Sequence, residues 1–275
     1  MIKDIVVNLS GPGQTDFAVK YALSVARAFG AHLTGIAFLY DPVIPDGALG
    51  GVPVQLIEAQ REENSKVAQS AVQLFEENAR AAGVSASSRT VEASVGGGAT
   101  VFAKIARRFD LVVLGQSQRE HGASEEVMIE AALFESGRPL MLVPYIQREG
   151  LALNRVLLCW DGSRTAARAI GDAMPLLERA KEVDVVIVAE ERKEEDMTGA
   201  HMAEHLARHG ISATVKRLVK GDISIDSVVL SYAADMGADL IVMGGYGHSR
   251  FREFILGGMT RGILESMTVP VLMSH

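Results

Sequence analysis

The 275 residues exceed the usual span of one domain, about 100–200 residues, and point to two. With 48% hydrophobic and 22% charged residues the composition is that of an ordinary globular protein, which excludes a disordered or fibrous chain. The formal charge of −7, with Lys and Arg scattered, argues against a nucleic-acid binder or an anionic-membrane binder.

The N-terminus places Lys3 and Asp4 ahead of a short apolar run, too short for a signal peptide, and no later stretch approaches the roughly 18 apolar residues that cross a bilayer. The single cysteine, Cys159, lies inside an apolar run and reads as a small buried hydrophobe in a reducing compartment. A cytoplasmic protein is expected.

In chain order, apolar runs at 3–9, 31–39, 84–92, 110–115 and 140–144 read as buried strands, alternating with helical patterns such as Phe17 to Phe29. A Pro/Gly-rich segment, Asp41 to Pro53, precedes a long helix and reads as an inserted loop plus extra turns. The polar stretch Gln147 to Asn154 reads as a linker. Further runs at 154–160, 183–189, 211–219, 239–244 and 270–274 repeat the alternation.

The second series resembles the first in three places. Ile5 to Gly11 matches Val156 to Gly162, Asp110 to Gly115 matches Asp239 to Gly244, and Arg138-Pro-Leu-Met-Leu matches Val269-Pro-Val-Leu-Met. Near-continuous apolar strands alternating with helices imply parallel sheets covered on both faces, because right-handed crossovers lay helices against the sheet. Two doubly wound, five-stranded, Rossmann-like domains in tandem follow, over 1–148 and 151–275.

Such sheets bind ligands beyond the carboxyl ends of their strands, where connections diverge. In the second copy the fourth strand runs into Gly244-Gly-Tyr-Gly-His-Ser-Arg-Phe-Arg-Glu-Phe-Ile-Leu-Gly-Gly-Met-Thr260. Its glycines let backbone N–H groups approach an anion, and the helix start near Gly257 adds unpaired donors and the positive dipole end. His248, Ser249, Arg250 and Arg252 add donors suited to an oligophosphate. Turns plus a solvated basic face account for the same residues equally well. After the first strand, Asp161 can face a base or ribose, although capping by Asp161 or Ser163 of the helix from about 164 is the commoner role.

Gly244-x2-Gly247-x9-Gly257, an Asp closing the first strand and the final Val269-Pro-Val-Leu-Met together resemble the universal stress protein family over essentially the whole chain, as a tandem pair. The resemblance implies an adenine-nucleotide α-hydrolase-like fold and ATP, with or without Mg²⁺, as ligand. Position by position it implies Asp161 at adenine with Val188 beside the base, Met243 and Gly244 at the ribose, and Gly247, His248, Gly257, Gly258 and Thr260 around the phosphates. Gly258 stands where that family has Ser or Thr, with Thr260 as a substitute hydroxyl. The resemblance also implies that the two copies pack through their closing strands as a pseudo-dimer, with further association into a homodimer open.

The first copy departs from the pattern. Gln118 and Met128 replace the second and third glycines, Ser10 replaces the Asp, and Glu120, Glu125 and Glu126 put negative charge where phosphates would lie. One ATP site per chain is expected, in a stress-response regulatory or protective module. No Walker lysine and no general base adjoin the phosphates, so fast turnover is not expected and slow hydrolysis stays open. The rivals are an ATP-cleaving or nucleotidyl-transferring α/β enzyme and a nucleotide-free scaffold. Two side readings remain. Ser10 to Thr15 is a weak pyrophosphate-loop candidate. His201, His205 and His209 share one helix face over Thr198 to Gly210, where core-edge packing outweighs a metal site.

Overall fold

The computed structural model describes residues 1–10, 16–42, 53–94, 96–117, 122–189, 198–245 and 258–275. The first copy supplies β1 (Asp4–Leu9), α1 (Asp16–Phe29), β2 (His32–Tyr40), α2 (Val54–Ala82), β3 (Ala86–Ala93), α3 (Gly98–Ala106), β4 (Leu111–Gly115), α4 (Gly122–Glu135) and β5 (Leu140–Val143). The second supplies β6 (Arg155–Cys159), α5 (Arg164–Leu177), β7 (Glu182–Ala189), α6 (Thr198–Arg208), β8 (Ala213–Val219), α7 (Ile225–Asp235), β9 (Leu240–Gly244), α8 (Gly258–Ser266) and β10 (Val271–Ser274). The ten strands lie where the apolar runs predict them.

Two compact units emerge, one comprising residues 2–114 and 123–138 and the other comprising 115–122 and 139–275 together with Met1. The first unit carries the strand order β3-β2-β1-β4, with β1 parallel to both β2 and β4. Its central strand buries Ile5, Val6 and Val7 completely, as a strand covered on both faces must. The α2 helix is 29 residues long against 11 for its counterpart α6, which is the expected insertion, and only its second half buries residues, Ala68, Ala71, Phe75 and Ala79. It stops at Gly83, whose φ of +65° permits the cap in which Gly83 N–H reaches Arg80 O and Val84 N–H reaches Ala79 O.

The second unit carries the order β5-β10-β9-β6-β7-β8. All its pairs are parallel except β5 with β10, where Val271 faces Leu142 and Met273 faces Leu140. The closing strand of the first copy is thus built into the unit that holds the second copy, because those facing residues are completely buried. The outer strands β3 and β8 depart from the expected continuous burial. Their exposure alternates along the strand, the pattern of an edge strand with a solvated face.

The repeated Asp-Leu-x-Val-x-Gly segments have a structural cause at their first residue. The Asp110 carboxylate accepts from the backbone N–H groups of Lys3 (2.8 Å) and Asp4 (3.0 Å). The Asp239 carboxylate accepts in the same way from Asn154 (2.5 Å) and Arg155 (2.9 Å). Each Asp therefore ties the start of its copy's first strand to the start of the fourth, which brings the carboxyl ends of the two strands side by side.

Candidate functional site at the carboxyl ends of β6 and β9

In the second copy β6 lies between β7 and β9, so the chain leaves β6 toward one side of the sheet and continues from β9 toward the other. That divergence is the switch point where open sheets take ligands. Asp161 ends the β6 side, exposed, with its Oδ1 accepting from Ser163 N–H at 2.9 Å. Gly162 makes the turn with a φ of +76°, and Ser163 caps α5 by accepting from Ala166 N–H at 3.1 Å. Ser163 thus takes the capping role and Asp161 braces the turn, which leaves the Asp161 carboxylate at the mouth.

On the β9 side, a Cβ built at Gly244 would stand 2.5 Å from both Ala166 N and Thr165 Oγ1. Only glycine lets the end of β9 lie against the first turn of α5, so Gly244 sets the distance between the two strand ends. Met243 is buried within its strand ladder, whereas Val188 at the end of β7 is half-buried. Ser274 Oγ donates to Asp172 on α5 at 2.9 Å, tying the end of β10 to the same helix.

The α8 helix begins at Gly258 with no acidic residue in its first turn. Thr260 in that turn is only 4% exposed, and Gly258 is exposed with no described atom within 4 Å of where a Cβ would stand. A helix N-terminus with no acid in its own first turn favours an anion there, because its leading N–H groups and dipole carry partial positive charge. Gly247, His248 and Gly257 lie outside the described residues, as do Ser249, Arg250 and Arg252. Burial and then the neighbouring Arg164 guanidinium push the His275 imidazole down from its usual range, so it is neutral at pH 7. Burial, aided by the Asp161 carboxylate, pushes the Cys159 thiol up to about 12, so this cysteine is protonated and inert at neutral pH.

The first copy fills the equivalent positions with its own side chains. Asn8 pairs with Ile36 as Cys159 pairs with Val186, so Phe38 takes the place of Val188. It is buried and stacked on Tyr40 at 5.6 Å, with its edge toward Phe102. Glu125 occupies the first turn of α4, where it answers the helix dipole internally. Burial and then Glu126 push the Glu130 carboxyl above its usual range on the same helix. Gln118 and Glu120 lie outside the described residues, as does the loop from Gly11 to Thr15.

His201 and His205 on α6 and His209 just after it are all exposed, and so are not core-edge residues. The His205 and His209 rings meet edge to face at 4.9 Å. Among the described residues no group of three or more His, Cys, Asp or Glu side chains is placed to hold a metal ion. No described helix is long and apolar enough to cross a membrane. Two further side chains at these strand ends belong to no sequence motif. Trp160 buries its indole N–H just after β6 with no hydrogen-bond partner among the described residues, and Gln116, at the position that corresponds to Gly245, is buried. An indole or a long amide in an otherwise apolar strand end is the signal that marks both.

A pair of doubly wound α/β repeats, with an exposed carboxylate and a glycine-braced strand end at the switch point of the second, defines the class of open-sheet ligand-binding proteins in tandem form. Within that class the chain belongs to the universal stress protein family, whose profile matches residues 1–125 and again 152–275. A curated universal stress protein of Synechocystis sp. is 25% identical over 174 residues, which span 60% of this chain and 57% of that protein. Among solved structures, a universal stress protein of Archaeoglobus fulgidus aligns over 98% of this chain and 97% of its own with a TM-score of 0.73 and 17% identity. A putative universal stress protein of Pseudomonas aeruginosa aligns over 99% and 93% with a TM-score of 0.60 and 16% identity. At these identities the structural likeness concerns the fold.

Proposed function

We propose that the second copy binds ATP across the carboxyl ends of β6 and β9, as the nucleotide-responsive half of a cytoplasmic stress-response module, and that the first copy does not. The observation that carries this reading is the contrast between the two phosphate-side helices. Glu125 opens α4 with a built-in anion, whereas the first turn of α8, Gly258, Met259, Thr260 and Arg261, carries no acid and so suits an anionic ligand.

The residues present fit the nucleotide. Asp161 offers an exposed carboxylate to the amino group of the base, and Val188 offers half-buried apolar surface to its face. The main chain of Met243 and Gly244 borders the ribose. The α8 N-terminus holds the phosphates with the Thr260 hydroxyl, completed by Gly247, His248 and Gly257. When bound, ATP supplies a charged reporter of cellular energy state. The protein's part is to hold it, and no described side chain adjoining the phosphates acts as a general base.

Calorimetric titration of ATP into the intact chain and into Gly247→Val tests this. Binding near one per chain in the wild type, abolished in the variant, is expected. A stoichiometry near two would overturn the exclusion of the first copy, and no binding by the wild type would overturn the site.

A further inference from the structure

Gln116 corresponds to Gly245 in the internal repeat, and the two backbones do the same work. Gln116 N–H donates to Val143 O at 2.7 Å and Gly245 N–H donates to Ser274 O at 2.9 Å, each joining the end of a fourth strand to the end of a fifth. The side chain of Gln116 is therefore not needed for strand pairing. It is nevertheless only 3% exposed, and both ends of its amide are engaged. Nε2 donates to Leu264 O at 2.8 Å and to Glu265 O at 3.4 Å, and Oε1 accepts from Tyr145 N–H at 3.3 Å.

Leu264 and Glu265 lie in the last turn of α8, where carbonyl groups lack intrahelical donors. The helix has nine residues and so is about 13 Å long. On its flank, the Asp226 carboxylate of α7 sits directly against Gly262 and leaves no room for a side chain there, while Thr260 and Ile263 are buried. Those contacts restrain α8 sideways, whereas Gln116 holds its carboxyl end along the axis. A rod this short passes an axial displacement at one end to the N–H groups at the other.

We propose that Gln116 is a positioning residue for the nucleotide site: its amide clamps the carboxyl end of α8 and so sets where the amino end of that helix meets the phosphates. The inference rests on the ATP reading given above. It gives the degenerate copy a role in the site of the other copy, because the first-copy residue equivalent to Gly245 supplies the clamp.

The test compares ATP with adenosine, which shares the base and ribose and has no phosphate for α8 to hold. Affinities for both are measured by calorimetry in the wild type, in Gln116→Ala and in Gln116→Met, which keeps the side-chain volume and loses the amide. The expected result is a three- to tenfold weakening for ATP, about the net worth of one hydrogen bond, with adenosine affinity unchanged. Gln116→Met provides the measurement if Gln116→Ala does not fold. Hydrogen exchange of the α8 amides in the ligand-free variants is expected to quicken while that of α7 stays as in the wild type. Equal weakening of both ligands, or an ATP-to-adenosine ratio within twofold of the wild-type value, would overturn the positioning role and leave the ATP site standing. A wild type that binds neither ligand would overturn the site itself and this inference with it.

Discussion

At the scale of single residues, Gly258 is where this chain's site differs most from the pattern it resembles, since glycine stands in place of a hydroxyl. It opens α8, is exposed, and has no described atom within 4 Å of the Cβ position, so a serine fits without displacing anything described. Serine also costs the helix less than glycine. Gly258→Ser is expected to tighten ATP binding about three- to tenfold, the net worth of one ordinary hydrogen bond, with adenosine binding unchanged. Unchanged or weaker ATP affinity in a titration would show that Thr260 already supplies the hydroxyl. Asp161 shows how two residue-level explanations of one sequence feature separate in three dimensions. Capping falls to Ser163, while the Asp161 carboxylate braces the turn through Ser163 N–H and stays exposed.

At the scale of elements, β6, β7 and α7 are joined near the amino ends of the strands by a partly buried charge cluster. Asp184 on β7 has a side chain only 4% exposed, and it accepts from Arg155 Nη1 on β6 at 2.8 Å and from Tyr232 Oη on α7 at 3.3 Å. Glu182 also pairs with the Arg155 guanidinium. Both the Arg155 guanidinium and the Tyr232 phenol are pushed up, the former chiefly by its hydrogen bond to Asp184 and the latter chiefly by burial. Among the described residues, Arg155→Leu would leave the buried Asp184 carboxylate with only the Tyr232 hydroxyl as side-chain partner, and urea unfolding is expected to show a lowered midpoint. The double variant Arg155→Leu with Asp184→Leu is expected to regain most of that loss, since removing both charges removes the desolvation cost. A single-variant midpoint equal to that of the wild type would show that the pair behaves as an exposed one.

At the scale of the whole molecule, the decisive feature is that β5 belongs with the second copy's strands. Leu140, Met141 and Leu142 pair antiparallel with Met273, Leu272 and Val271, and all six are completely buried. A fragment of residues 151–275 would present β10 as an unpaired apolar edge, which invites pairing with another chain. Sedimentation of that fragment at tens of micromolar is expected to show dimers or larger species. A stable monomer would show that β10 is protected without β5.

Much of this was legible beforehand. The ten strands were readable from apolar runs because strand burial is written locally, in consecutive Val, Ile and Leu, and the tandem organisation was readable because the copies keep the same residues at the same strand ends. Asp161 and Gly244 could be nominated from their positions after the first and fourth strands. The solvated faces of β3 and β8 were not legible, since only neighbours in the sheet decide which strand lies at an edge. Nor was Gln116, whose partners are 148 and 29 residues away in the chain. The sequence by itself determined the elements and the family pattern, because both depend on local order and spacing. Tertiary structure alone decided that β5 joins β10 and that Gln116 clamps α8, because backbone carbonyls and strand edges carry no residue-specific mark of the partner that will satisfy them.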